Sequence, residues 1–509
     1  MPAFDAIVIG AGPAGLSAAA ELAPAARCLL LDGGPTAPLR DRGSPDDLLN
    51  GVGGAGLFSD GKHSFFPSAS ALWALPDRAA LAAAFARTAA LLRRHGVEPV
   101  APPSLVDGST VAPGAGDSLA AGAWHAKHYP SLYVPFDERL AMIEALWAAG
   151  GARRSGALVL GVERAGTEFA VTIEREGVRE EVRARHLIVA TGRWSPRWVR
   201  PWLERLGATY AFRRVEFGVR VEAPASSALF ARLPGVDGKL RFVEPDAPIE
   251  ARTFCTCRGG EVVLGRARDM VAFSGRADVA PTGRSNVGLL VRAFDPALGR
   301  DVERHAYGAA PFRCSLDEWL ERGPELLAPT FGEPGAQALW RAILRLLEVA
   351  PELRNEGARI YAPCVEGVGD YPVDDGSLEV APRVWVAGDA GGRFRGIVAS
   401  MVSGRYAALR ALGRGERSRA EPPGEPSARA GLSRRWGRAQ AACRRRGSAP
   451  DRGESGSCVR RRRRASARAR RRLRRLRASK SRARRPRPAS SARRRRRRSR
   501  AARRGPDRS

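Results

Sequence analysis

Residues 4 to 34, FDAIVIGAGPAGLSAAAELAPAARCLLLDGG, constrain this chain more than any other stretch. Phe4 to Ile9 is a short apolar run with β-branched residues, as in a buried parallel strand. Gly10-Ala11-Gly12-Pro13-Ala14-Gly15 follows at once with G-x-G-x-x-G spacing. In that pattern Gly10 permits a tight turn, Gly12 lets the backbone approach a pyrophosphate, and Gly15 lets a helix pack close on the strand. Pro13 suits a first helical turn, where its missing N–H is not needed. Leu16 to Leu22 predicts that helix and Arg27 to Leu31 a second strand, closed by Asp32. Asp32 lies 22 positions after Gly10, near the spacing of an acid that accepts a ribose hydroxyl. Strand, turn, helix and acid together point to a bound dinucleotide.

Bulk charge points elsewhere until it is located. The 509 residues carry +32, which suggests a nucleic-acid binder. Arg414 to Ser509 hold 38 Lys or Arg against 6 Asp or Glu, and the rest of the chain has 47 of each. The body is formally neutral, so any argument from charge concerns the tail. Seven scattered cysteines give neither a disulfide framework nor zinc spacing, so no metal site is expected and a reducing cytoplasm is. The first strand starts so near Met1 that no signal peptide is expected, and no apolar run has the length of a membrane span.

A second glycine-rich stretch, GVGGAGLFSDGK at 51–62, is too glycine-dense for a helix or strand interior and predicts a loop against a ligand. Arg78 to His95 predicts an amphipathic helix ended by Gly96, and 98–123 a long loop or insertion. Phe136 to Ala149 predicts a helix capped by Asp137. Residues 157–163, 168–174 and 181–184 suggest a small antiparallel meander, followed by a separate strand, His186 to Ala190, ending in Thr191-Gly192. Strands then dominate from Phe212 to Arg292, and helices from 316 to 349. A last apolar strand runs into Gly388-Asp389, and Gly396 to Leu412 fits a helix. Residues 414–509, with Trp436 as their one aromatic, cannot bury a core and are expected to be disordered.

Gly10–Gly15, Thr191-Gly192 and Gly388-Asp389 each follow a strand, and open α/β sheets bind ligands at the carboxyl ends of strands. A flavin dinucleotide is long enough to need such dispersed contacts. The first helix would hold its diphosphate, Asp32 its adenosine ribose and Asp389 its ribityl chain or diphosphate. Gly396 and Ile397 would present a positive helix end to the flavin. Gly54 and Ser59 would line the second loop. Asp60, Lys62 and His63 are its polar groups, with Lys62 able to stabilise negative charge or bind an acidic substrate, and Asp60 its partner. Arg393 and Arg395 suit a carboxylate or phosphate. Cys255 and Cys257, two apart on an expected strand, share a face, where packing is favoured over a redox role; C-x-C is not the C-x-x-C of dithiol oxidoreductases, so no disulfide reductase is expected. His125 and His128 fall in the loop region without a third ligand, and His186 opens a strand.

These motifs resemble the FAD-binding fold of glutathione reductase-type flavoproteins. More narrowly, 51–62, VEFGVRVE at 215–222, RTFCTCRGGEVV at 252–263 and AGDAGGRFRGIVASMVSGRYAA at 387–408 resemble the FAD-utilising dehydrogenases. The resemblance implies an α/β fold: a Rossmann-like FAD-binding domain, discontinuous over 1–210 and 351–413, with an inserted β-rich α+β substrate domain at 211–350. It implies FAD but no known substrate. A small-molecule substrate is expected, and the catalytic candidates, Asp60 and Lys62 of the second glycine loop and Cys255 and Cys257 of the C-x-C, come from the residues themselves. With one complete fingerprint, hydride comes from a transiently bound NAD(P)H or substrate, or electrons come from another protein. A flavin monooxygenase, an RNA-binding or RNA-modifying flavoprotein and a non-catalytic FAD scaffold are the alternatives. The tail is a basic arm for nucleic acid or anionic membrane, or a GC-rich coding region read out of frame.

Overall fold

The computed structural model describes residues 4–102, 122–233, 235–245, 247 and 249–420, with side chains to 413. Most of the 98–123 insertion, and the tail beyond Ala420, lie outside the described residues.

Phe4–Ile9 forms the centre of an eight-stranded sheet. It pairs in parallel with Cys28–Leu31 on one side and Val178–Val189 on the other. Ala152–Arg154 extends the sheet in parallel beyond Cys28–Leu31, and Val384–Val386 does so beyond Val178–Val189. The chain therefore leaves the central strand in one direction and returns on its other side. That reversal lies between Ile9 and Val189, and it opens a crevice at the carboxyl ends of four adjacent parallel strands. Helices Pro13–Leu22, Arg78–Arg94, Phe136–Ala149 and Ile397–Ala420 cover one face around Leu16, Leu81, Ile143 and Val402. The other face packs Phe169, Val171 and Leu203 from the meander and from helix Pro196–Arg205.

A seven-stranded antiparallel sheet forms the second layer, in the order Phe312–Ser315, Arg359–Pro372, Tyr210–Pro224, Arg284–Ala293, Ile249–Cys257, Lys239–Val243, Trp124–Lys127. Phe217, Val219 and Leu289 on these strands pack against Phe331, Leu339 and Ile343 of helix Ala328–Val349.

Several expectations need correction. The third strand of the meander and the strand before Thr191 are one element, Val178–Val189. Its first half pairs antiparallel with Glu168–Arg175 and its second half parallel with Phe4–Ile9, so polar Arg183 and Arg185 mark no break. The 51–62 stretch is not all loop: Gly54–Phe58 is a short helix and Lys62–Ser64 a strand. Asp137 lies inside the first turn of its helix, and Pro135 holds the cap position. Asp77, not singled out beforehand, caps Arg78–Arg94 by accepting the Ala80 N–H at 2.9 Å. Met270–Arg276 adds a hairpin strand opposite Glu261–Ala267, missed because its turn carries left-handed Arg268 in place of a glycine. Arg359–Pro372, grouped beforehand with the FAD-binding segments, lies in the second sheet beside Tyr210–Pro224. His125 lies in a strand. The last helix passes Leu412 and runs to Ala420, the last described residue, where Arg, Glu and Ala favour continuing it.

Two backbone contacts fix how the helices seat. A Cβ on Gly15 would lie 1.8 Å from the Gly10 carbonyl oxygen, and one on Gly404 would lie 2.0 Å from that of Ala14. Helix Ile397–Ala420 is thus pressed backbone to backbone on the fingerprint helix. Gly404→Val should lower stability by at least about 1–3 kcal/mol, read as a reduced denaturation midpoint. A midpoint equal to that of the parent chain would contradict this packing.

Candidate functional site

The four strand ends bring the expected cofactor residues together. Gly10 is left-handed (φ 99°), and a Cβ there would lie 2.6 Å from the Ala190 carbonyl oxygen across the crevice. Gly12 caps the fingerprint helix without a side-chain bond, so the first N–H groups of that helix meet no capping oxygen. Asp32 steadies the turn: its Oδ2 accepts the Ala11 N–H at 2.7 Å and its Oδ1 the Gly34 N–H at 2.9 Å. Gly54 sits against the same turn, where a Cβ would meet the Gly12 Cα at 3.0 Å, and Gly53 donates its N–H to the Ala11 carbonyl at 2.8 Å. Ser59 is committed locally, donating to the Gly56 carbonyl at 3.1 Å. Pro13, Gly56, His63 and Ile397 line a cavity of about 10 Å³, which joins the fingerprint to the start of the last helix.

The remaining strand ends close on the same place. Thr191 donates to the Ser195 hydroxyl at 2.7 Å, and that hydroxyl bonds the Gly192 carbonyl at 2.7 Å. A Cβ on Gly388 would meet the Ala14 Cβ at 2.9 Å, so the Gly-Asp turn touches the fingerprint helix. Asp389 uses Oδ2 to accept Arg395 Nε at 3.0 Å and Arg193 Nε at 3.4 Å. Its other oxygen, Oδ1, is buried and has no hydrogen-bond partner among the described residues. Around Gly12, Gly192 and Gly396 an added Cβ would meet nothing within 4 Å. This donor and acceptor set suits FAD: an uncapped helix end for a diphosphate, a second helix end at Ile397, and one unpaired buried acceptor for a hydroxyl.

Arg395 is not a free anion receptor. Its guanidinium also binds Glu216 Oε2 at 3.0 Å and the Glu366 backbone carbonyl. Glu216 is wholly buried and faces Arg214 at 2.5 Å, Arg292 at 3.1 Å and Arg252. Burial alone would raise its pKa, but Arg252, Arg292, Arg395 and Arg214 hold the carboxyl well below the usual glutamate range. This cluster was not foreseen. Its signal was there in VEFGVRVE, where Glu216, Arg220 and Glu222 interrupt an apolar strand. Arg393, the other arginine of the pair, is bound to Asp374.

A second buried cluster gathers the catalytic candidates. Lys62 Nζ donates to Asp60 Oδ2 at 2.8 Å, Asp237 Oδ1 at 3.0 Å and the Thr256 carbonyl at 2.8 Å. Its three protons are taken, which corrects the expectation that it binds an acidic substrate. Asp60 partners it, as expected, and also accepts the Lys62 N–H at 3.0 Å. Cys255 is left-handed (φ 50°) and lies at a register shift between Phe254 and Cys257. Such a backbone costs roughly 1–3 kcal/mol and re-aims a strand. The two sulfurs end 3.8 Å apart, with Cys255 Sγ 3.1 Å from Asp60 Oδ2. Beside them, His63 is fully buried, its Nδ1 3.2 Å from the Gly61 carbonyl. Burial pulls its pKa down to about 4, so it is neutral. His186 packs on Trp385, with ring centroids 5.7 Å apart.

Acid stability should fall in two windows. Neutral His63 stabilises the fold fully above about 6.5, the unfolded value. That contribution drains away as pH falls to its folded value of about 4. Ionised Glu216 contributes fully above about 4.3 and loses its contribution only below that, toward its depressed folded value. Glu216→Gln should destabilise by about 3–5 kcal/mol at neutral pH and flatten the lower window alone. Denaturation midpoints measured from pH 7 to pH 3 check both; an unchanged lower window in the variant contradicts the assignment.

No family model matches this sequence, and no curated protein matches it. Among solved structures, the chain is similar to a geranylgeranyl bacteriochlorophyll reductase-like protein from Thermoplasma acidophilum. The identity is 15%, the match covers 83% of this chain and 81% of that one, and the TM-score is 0.40. It is similar to a flavoprotein/dehydrogenase from Cytophaga hutchinsonii at 14% identity, over 82% of this chain and 79% of the other, with a TM-score of 0.38. A p-nitrophenol 4-monooxygenase from Pseudomonas putida DLL-E4 is similar at 14% identity, over 82% of each chain, with a TM-score of 0.36. Among the described residues, no helix is long and apolar enough to cross a membrane.

Proposed function

We propose that this chain is an FAD-dependent oxidoreductase acting on a small-molecule substrate. The observation that carries the reading is the convergence at one crevice of an uncapped fingerprint helix, the Asp32 carboxylate and the unpaired Asp389 Oδ1. FAD, when bound, supplies two-electron hydride chemistry at its flavin ring. The N–H groups after Pro13 would hold the diphosphate against the helix dipole. Asp32 would take a ribose hydroxyl on an acceptor site left by Ala11 and Gly34. Asp389 Oδ1 would accept a hydrogen bond from a ligand hydroxyl, its carboxylate fixed by Arg395 through Oδ2. Ile397 opens a long helix whose positive end would favour negative charge on a flavin.

Within this reading, residues 1–210 and 351–413 supply the cofactor contacts, and the second sheet, with Arg359–Pro372 added to it, walls the substrate. Dehydrogenation or reduction is the favoured chemistry, with transient NAD(P)H as the donor class. Contact with nucleic acid or anionic membrane belongs to the arginines beyond Arg414, so RNA should leave turnover on a small molecule unchanged.

Asp389→Ala removes a charged acceptor worth about 1.5–3 kcal/mol, so FAD affinity should fall roughly 10- to 100-fold. Fluorescence titration of FAD into the full-length protein and the variant measures this, with ADP competing in both. Equal affinities in the two chains would remove Asp389 from the site.

A further inference from the structure

Cysteines in this fold differ sharply in environment. Cys28 and Cys364 are buried, Cys314 is half-buried, and burial pushes all three thiols up to about 12. Thiols in that state do not react. Cys255 and Cys257 are different: their sulfurs face each other at 3.8 Å, close enough to share a proton. Lys62 Nζ stands 3.8 Å from Cys255 Sγ. Arg220, also buried, donates to the Cys255 carbonyl at 3.0 Å. A Cβ on Gly275 would meet both Arg220 Nη2 and Cys257 Sγ, at 2.1 and 2.6 Å, which puts that guanidinium beside the second sulfur. The hydrogen bond from Cys255 pulls the Cys257 thiol below its ordinary value; burial opposes this, and Lys62 and Arg220 add to it. The hydrogen bond with Cys257, and then burial, push the Cys255 thiol the other way.

Two further features bear on chemistry. Cys255 is half-buried and Cys257 buried. The left-handed bulge at Cys255 is what turns two sulfurs on a strand toward one another. An S–S bond of about 2.05 Å lies less than 2 Å from the present separation. The Asp60 oxygen nearest both sulfurs is already held by Lys62 at 2.8 Å, so the charge that would draw a divalent cation is neutralised.

We propose that Cys255 and Cys257 form a reversible dithiol–disulfide couple that exchanges with a small-molecule disulfide. The pair shares one proton as a thiol and a thiolate. With the proton on Cys257, the Cys255 thiolate attacks one sulfur of the disulfide RSSR, releasing RS⁻ and leaving a mixed disulfide. The released RS⁻ takes the Cys257 proton, and the Cys257 thiolate attacks Cys255 Sγ and releases the second RS⁻, so the products are the protein disulfide, RSH and RS⁻. Two protein sulfurs are oxidised and two R sulfurs reduced, and a dithiol reverses the sequence. The couple works without FAD and stands apart from the function proposed above.

The test uses the full-length protein in mixtures of reduced and oxidised glutathione, quenched with an alkylating agent. Mass spectrometry then reads the peptide that carries both cysteines. Loss of both alkyl labels together, in one two-electron transition of tenfold per 29.6 mV and reversed by dithiothreitol, is the expected result. Cys257→Ser should instead accumulate a stable glutathione adduct on Cys255. Full alkylation of both sulfurs in every buffer, or a zinc ion held at one per chain that blocks both, would overturn the couple. The parent chain alone decides the question, so a variant that fails to fold does not obscure it.

Discussion

The guanidinium of Arg395 joins the two sheets of this protein. It binds Asp389 on the Gly-Asp turn at the end of the parallel sheet, and Glu216 on the longest strand of the antiparallel one. It shares Glu216 with Arg214, Arg252 and Arg292, and Asp389 with Arg193, and a buried charge is tolerated only when it is paired and hydrogen-bonded. The contact also sets the chemistry of the crevice. Arg395 occupies one oxygen of Asp389 and leaves the other unpaired and buried. A single cation therefore ties the second sheet to the strand ends and leaves one Asp389 oxygen without a partner among the described residues.

Much of the crevice was legible because its signals are local. The fingerprint strand, its glycines, Asp32 and the Gly-Asp turn follow from steric rules that act over a few residues, and each lies where its sequence placed it. The long helices were legible from their period. What escaped notice depends on partners distant in the chain. Val178–Val189 looked like two strands because polar residues interrupt it, yet each half has its own neighbour. Arg359–Pro372 carries no mark that assigns it to the second sheet; its register with Tyr210–Pro224 does so. The Gly54–Phe58 helix runs against glycine propensity and exists where the backbone must lie close to Gly12.

The charged clusters show the same limit. Lys62 and Arg395 looked like candidates for binding acids when only neighbouring residues were in view. In three dimensions each is matched by carboxylates brought from elsewhere, Asp237 for the first and Glu216 for the second. This agrees with a body holding 47 residues of each sign, whose charge is settled internally while the excess lies beyond Arg414. The cysteine pair is the reverse case. C-x-C spacing says little alone, and a bulge, a lysine and an arginine give it a distinct chemistry.

We propose that the crevice at the four strand ends holds FAD. The most direct measurement is the visible absorption spectrum of the full-length protein, purified and then equilibrated with FAD and freed of excess by gel filtration. Flavin absorption should co-elute at one FAD per chain, displaced from its free-solution maxima. A folded protein that elutes colourless after that equilibration would contradict it.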